Sequence, residues 1–529
     1  MDEQVPILIV GGSLVGLTMS ALLGHHGVPN IVVERHRGTA IHPRAAAFHQ
    51  RTMEIFRSIG LQEEVEEAAE REFVQNGAIL SVDTLGGREL ACFYRSVNEG
   101  VEQLSPTSRL FITQIGLEPI LRRRAAELGA DLRYGTELTS FTQDADGIVA
   151  TVKARDDGAE RIIRAKYLIA ADGAHSAVRR ALGIPMEGRG AFAQCATIYF
   201  KADVRALLRG RNLSVVYVNQ PDLLAFFRFA ITADAGFLAV FATFDDQGRR
   251  STELEGELSP ARYAAMVRDA LGVPDEFPVE IDNVQRWTAT AATASSFRDG
   301  HVFLAGDAAH LMPPTGGFGG NTGVADAHNL AWKLAMVLDG RAAVSLLDSY
   351  EAERRPVAAL TVEQAYRRYV ERVDSTLPAT NLAANISDTA IELGSWYHSG
   401  AVCEGDAGDD LTENPENPSG APGTRLPHVW LHRNGLRIST LDLVGRDFML
   451  LAAPQAEAWI DAAKQVEAID MHRITEPAVA DMLGIASQGA LLIRPDGVVA
   501  WRTDHPLPDP GATLKHALEQ LGRDLRQGR

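Results

Sequence analysis

Three short runs of this chain put glycine where an apolar strand gives way to a helix, two of them with an aspartate beside it. Residues 302–323, VFLAGDAAHLMPPTGGFGGNTG, read as a strand (VFLA), the pair Gly306-Asp307, a loop dense in glycine and proline, and the start of the helix NTGVADAHNLAWKLAMVL. Unpaired amides at a helix N-terminus carry partial positive charge, so this junction suits a polyol phosphate and the polar edge of a ring system. The N-terminus holds a second junction: VPILIV, then Gly11-Gly12-Ser13-Leu14-Val15-Gly16, a helical run, and a strand NIVVE ending in Glu34. That order and spacing bind the ADP half of a dinucleotide. Gly11 permits the tight turn, Gly16 the close approach of helix to strand, and Glu34 reaches a ribose hydroxyl. Ser13 stands where a second glycine is usual, so contact with the pyrophosphate there falls to its backbone. The third junction is YLIAA, Asp172-Gly173, and a helix capped near Ser176 that carries Arg179 and Arg180. Taken alone it reads equally well as an ordinary turn.

The elements that must hold these junctions alternate between strand and helix, which predicts an α/β fold with parallel strands and crossover helices. Residues 1–74, 105–185 and 285–403 carry that alternation and form a split Rossmann-like domain. Residues 186–284 change character: CATIYFKADV, LSVVYVN, LLAFFRFAI and GFLAVFATF are β-branched and aromatic strands with short polar turns, predicting an inserted antiparallel sheet. A hairpin within 75–104 is expected to join it. Residues 404–427, rich in Pro, Gly, Asn and Asp, form a linker whose composition builds no core. Residues 428–529 read as a small α/β unit.

At 529 residues with 46% hydrophobic side chains the chain is long enough for several cores. A net charge of −18 argues against a nucleic-acid partner or an anionic membrane surface. The three cysteines (Cys92, Cys195, Cys403) are far apart, in no metal-ligand spacing, and suit a reducing compartment. A strand begins within five residues of Met1, and no apolar run reaches membrane-spanning length, so the expectation is a soluble, cytoplasmic protein.

Together, in this order, the three junctions resemble the single-component FAD-dependent aromatic-ring hydroxylases of the p-hydroxybenzoate hydroxylase and phenol hydroxylase type. HPRAAAFHQRTMEIFRSIG (42–60), Gln114 ahead of LEPILRRRAAELG, and SYEAERRP (349–356) extend the match over about residues 5–375. The resemblance implies FAD, with NADPH or NADH as a transient co-substrate, molecular oxygen, and a flavin C4a-hydroperoxide that hydroxylates an aromatic ring. It implies cofactor contacts at Gly11, Gly12, Ser13, Gly16, Glu34, Arg35, Arg44, Gln114, Asp172, Gly306, Asp307, Pro314, Gly319, Gly320 and Asn321. Asp307 would accept from a ribityl hydroxyl, Arg44 would neutralise phosphate, and backbone amides of the Gly319–Thr322 turn would face the ring edge that gains charge on reduction.

The inserted sheet would roof the substrate cavity, and the C-terminal unit resembles the thioredoxin-like domain of the phenol hydroxylase branch. It lacks CxxC, which points to a structural or interface role. STLDLVGRDFMLLA and IRPDGVVAWRTD look most like bacterial aromatic polyketide tailoring hydroxylases. A phenolic or polycyclic aromatic substrate is therefore expected, in a monomer or homodimer. Hydroxylation of simple phenols, Baeyer–Villiger oxygenation and, from another class, a flavin-dependent reductase or dehydrogenase are the alternatives.

Within that frame some roles stay open. His49 either deprotonates a phenol or satisfies a backbone carbonyl or helix end. Arg372, on the helix with Arg367 and Arg368, either reaches the cavity and handles a proton or lies on a solvated face. Pro313 and Pro314 stiffen the loop on the flavin face, and Pro313 is also a candidate substrate contact. His310 is either a site residue or a packed one. Phe226 and Phe227 lie on opposite faces of one strand, so one lines an aromatic pocket and the other packs a core.

Overall fold

The strand Glu3–Val10 sits at the centre of the first sheet. It pairs in parallel with Asn30–Glu34 on one side and with Glu160–Ala170 on the other. Val302–Leu304 then pairs in parallel with the end of Glu160–Ala170, so all three strand-to-helix junctions leave the same, C-terminal end of one sheet. Where both sheet faces are covered, at residues 7–10, 31–33, 167–170 and 302–304, the strands are apolar and buried, while the starts of Glu3–Val10 and Glu160–Ala170 carry polar, more exposed residues. The structure, a computed structural model, describes residues 3–41, 46–403, 408–466, 469–505 and 507–522. Among these residues no helix is long and apolar enough to cross a membrane.

The second sheet has eight strands. Most pairs are antiparallel, with Met186–Lys201 and Glu280–Ala294 matched along most of their lengths. One pair departs from the expected antiparallel order: Ala78–Val82 lies parallel to Leu213–Asn219, and carries Glu89–Tyr94 to the far edge. The expected limit of the inserted sheet at residue 284 falls inside a strand. Glu280–Ala294 continues past it, and His310–Leu311 pairs with its end, so the sheet reaches the Gly306-Asp307 turn directly.

Phe448–Ala452 pairs in parallel with Ile469–Arg473 and antiparallel with Ala490–Ile493, which in turn pairs with Val499–Thr503. With helices Glu457–Ala463, Pro477–Met482 and Pro510–Gln520 this is the thioredoxin-like arrangement. Its core is continuous with Trp332, Met336 and Leu346, which follow the first sheet's last junction in the chain.

Residues 408–427 are more ordered in their bonding than a spacer. Gly423 and Leu426 donate to the backbone of Val499 and Gly497, and Thr424 accepts from Val499. Backbone pairing, which composition does not report, holds this segment against the C-terminal sheet.

A buried ionic set crosses the same boundary. The Arg494 guanidinium donates to both oxygens of Glu353 (2.6 and 2.9 Å) and to Asp496, while Lys333 reaches Glu353 at 2.8 Å. Arg425 pairs with Glu54, which Ser105 also holds.

Candidate active site

The strand-to-helix junctions converge on Val15. A Cβ on Gly306 would stand 2.8 Å from a Val15 methyl, and one on Gly323 2.5 Å from it. A Cβ on Gly16 would meet the Gly11 carbonyl oxygen at 1.8 Å. These are collisions with packed or backbone atoms, so glycine at these positions is what lets the helix Leu14–His25, the Gly306-Asp307 turn and the helix Phe318–Leu338 meet.

Buried bonds then fix the turn. Gly306 donates to Asp326 (3.0 Å), and His310 Nε2 lies 2.7 Å from the same oxygen. Arg354 binds the other Asp326 oxygen at 2.8 Å and also reaches Tyr397. Burial would raise the Asp326 carboxyl, but His310 and Arg354 outweigh it and hold it below the usual range. His310 is thus a packed residue that secures the turn from behind. Arg179, from the Asp172-Gly173 junction, donates to the Ala308 carbonyl at 2.9 Å and ties that junction to the Gly306-Asp307 turn.

In front of the turn lies a cavity of about 580 Å³, within the usual range for small-molecule sites, roughly 300–1,000 Å³. One wall is the loop and helix start: Asp307, Pro313, Pro314, Gly319 and Gly320. The opposite wall is the second sheet, whose Tyr217, Phe226, Phe237, Phe241 and Trp287 form a connected aromatic face. The polar end holds Tyr94, Arg109, His49, Arg372, Asp388 and Glu392. Tyr94 donates to Asp388 at 2.6 Å, Arg368 holds the other Asp388 oxygen at 2.7 Å, and Arg109 binds Glu392 at 2.8 Å.

Comparison with known proteins agrees with this geometry. Residues 4–365 match the family model of an FAD binding domain, and residues 419–522 that of the aromatic-ring hydroxylase C-terminal region. The chain belongs to the FAD-dependent aromatic-ring hydroxylases. It is 46% identical to a 4-methyl-5-nitrocatechol 5-monooxygenase of Burkholderia sp, over 98% of both chains. It is 39% identical to a tetracenomycin B2 monooxygenase-dioxygenase of Streptomyces olivaceus, covering 98% of this chain and 99% of the relative. The crystal structure of an aklavinone-11 hydroxylase with FAD and aklavinone superposes with a TM-score of 0.91 at 36% identity, over 99% of each chain.

The residues of this hydroxylase fit FAD. Gln114 Oε1 and Asp172 Oδ1 are buried oxygens without a hydrogen-bond partner among the described residues. Amides of Phe318, Gly319 and Gly320 head the helix Phe318–Leu338, where helix geometry supplies no acceptor, and a Cβ on Gly319 would meet only Met312, at 3.7 Å. Glu34 accepts from Gly12 and His36 (2.8 Å each), and a carboxylate so fixed keeps lone pairs for a ribose.

Several sequence expectations change in detail. The Ser13 hydroxyl is committed to Glu118, a buried carboxylate that also takes the amides of Leu14 and Ala40 (3.1 and 2.7 Å). Asn321 lies outside the cavity lining. Its side chain clamps the loop to the His49 turn, donating to Ala47 and Gly317 and accepting from the His49 amide and Thr52. Arg35 is exposed, its guanidinium on His36. Arg44 lies outside the described residues.

Phe226 lines the cavity, whereas Phe227 points to the other face and stacks in a core with Phe200 and Phe229. Of the two substrate-contact candidates on this strand, Phe226 is the pocket residue and Phe227 is a core residue instead. His49 lines the cavity with Nε2 donating to the Gly316 carbonyl (2.9 Å), and a carbonyl only accepts, so Nε2 carries the proton. Arg372 reaches the cavity wall, 3.7 Å from Asp388 and over the Phe93 ring.

Sequence reading did not find Tyr94, Arg109, Trp287, Asp388 or Glu392. The two carboxylates lie on the short helix Asp388–Leu393, whose i,i+4 spacing sends both to one face. That spacing was the one available signal.

Proposed function

We propose that this hydroxylase adds oxygen to a phenolic, polycyclic aromatic substrate of the polyketide type, held in the cavity between the second sheet and the Pro313–Gly320 loop. The observation that carries the reading is that one cavity touches the cofactor-facing helix start, an aromatic wall and a polar end at once. Bound FAD supplies electrons from NAD(P)H and activates O2. The chain supplies the rest. Tyr217, Phe226, Phe237 and Trp287 give a ring a flat apolar wall, and their contacts with one another keep it rigid. The Pro313-Pro314 backbone lacks N–H donors and fixes the opposite wall. Amides of Gly319 and Gly320 stabilise negative charge on the cofactor edge.

The polar end receives the substrate's hydroxyl groups, and His49, proton-bearing toward Gly316, is a positioning residue for the loop. Asp307 and Glu34 anchor the ribityl chain and the adenosine ribose. The sheet is the substrate-binding domain, and the thioredoxin-like domain braces the flavin domain in a cytoplasmic enzyme. A single-ring catechol is the second reading, favoured by the nitrocatechol monooxygenase, the relative at 46% identity.

NAD(P)H consumption by the FAD-loaded protein, with and without naphthol, catechol and anthraquinone-type phenols, tests the proposal. Ligand-stimulated consumption with a product one oxygen heavier supports it, and the size of the preferred ligand separates the two readings. Turnover that continues without O2 would mean a reductase instead.

A further inference from the structure

We propose that Tyr94, held by Asp388, is a hydroxyl-recognition subsite: it selects aromatic ligands that present an O–H donor there over those presenting an ether or carbonyl. The inference rests on the phenolic-substrate reading and adds the direction of one hydrogen bond. Both residues line the cavity, and they come from opposite parts of the fold, the edge strand Glu89–Tyr94 and the helix Asp388–Leu393.

Burial would raise the Asp388 carboxyl, but Arg368 outweighs it and holds the group below the usual range. Asp388 is therefore ionised and can only accept. Burial and the Asp388 charge push the Tyr94 hydroxyl up to about 12, so it keeps its proton. A tyrosine has one O–H, and at 2.6 Å Tyr94 donates it to Asp388. What Tyr94 offers the cavity is lone pairs alone. A phenol O–H completes them, while a methyl ether or quinone oxygen brings acceptor against acceptor.

The neighbours reinforce this direction. Arg368 donates to Asp388 Oδ1 at 2.7 Å, which leaves Oδ2 for Tyr94. Arg372, 3.7 Å from Oδ2, and Tyr217 complete this corner. Glu392, one turn along the same helix, is already engaged by Arg109, with His49 3.8 Å away.

The test is binding to the FAD-loaded protein, read by perturbation of the flavin absorbance, for two matched pairs. These are 1-naphthol with 1-methoxynaphthalene, and catechol with its dimethyl ether. The wild type should favour the hydroxyl member by about tenfold, the worth of one net hydrogen bond. Tyr94→Phe should bring the two members of each pair to near equality.

Asp388→Asn makes the sharper prediction. Arg368 keeps the amide oxygen on its side, so the NH2 faces Tyr94 and donates to it. The Tyr94 O–H is then released toward the cavity, and the ether should gain on the hydroxyl. Structural damage alone would weaken both members alike and leave their ratio unchanged. A wild-type protein that binds each pair equally, or a Tyr94→Phe protein that keeps the wild-type ratio, would overturn the proposal. If no phenol yields an oxygenated product, the proposed function fails instead, and the binding ratios still decide the subsite.

Discussion

Arg494→Met probes how the thioredoxin-like domain supports the flavin site. Arg494, Lys333, Glu353 and Asp496 form a fully buried set of two cations and two carboxylates, with Arg494 bridging both acids. Removing it leaves two carboxylates facing one lysine out of water. Breaking a buried pair in this way costs about 3–5 kcal/mol, whereas an exposed pair costs under about 1 kcal/mol. Lys333 lies on the helix Phe318–Leu338, whose first residues face the cavity, so loss of FAD should accompany loss of structure.

Equilibrium urea unfolding, followed by far-UV circular dichroism and by released-flavin fluorescence, reads both. The expected result is a loss of about 3–5 kcal/mol with the two signals moving together. Glu353→Gln in the Arg494→Met background should then cost less than the two single changes added, by about 0.5–3 kcal/mol. A single variant within about 0.5 kcal/mol of wild type, or strict additivity, would refute the reasoning.

Phe226→Ala and Phe227→Ala should separate two roles on one strand. Phe227→Ala should cost about 3–5 kcal/mol of stability with little change in KM, and Phe226→Ala should raise KM more than it lowers stability; matched effects in thermal melts and steady-state kinetics would contradict the facing directions. Asp307→Ala should lower the flavin-to-protein ratio after gel filtration, and an unchanged ratio would remove Asp307 from the ribityl contact. Burial works to raise Glu54, yet Arg425 and Arg51 overcome it and hold the carboxyl at about 2. Its folded value is depressed, so its contribution is complete above about pH 4.5 and is lost as the pH falls toward 2. Glu54→Gln should flatten the unfolding free energy across that window, and an unaltered acid profile would contradict the assignment.

The strand-to-helix turns were legible because their requirements are local. Close approaches at Gly16, Gly306 and Gly323 each demand glycine, and helix starts follow the strands within a few residues, so order and spacing carry the signal. The substrate side depends on contacts between distant segments. Tyr94 and Asp388 are 294 residues apart and meet only once the edge hairpin and the helix Asp388–Leu393 are both placed. Strand alternation told that Phe226 and Phe227 face opposite ways, but which face is inward follows from the layers packed on the sheet. The ordering of residues 408–427 rests on backbone pairing with the C-terminal sheet, to which composition is blind.

The most direct test of the central claim is the mass of the product formed from a bound phenol by the FAD-loaded protein with NAD(P)H under 18O2. Ligand-dependent NAD(P)H consumption and a product carrying one 18O atom on the aromatic ring system are expected. Product formation without label, or at the same rate in the absence of O2, would contradict it.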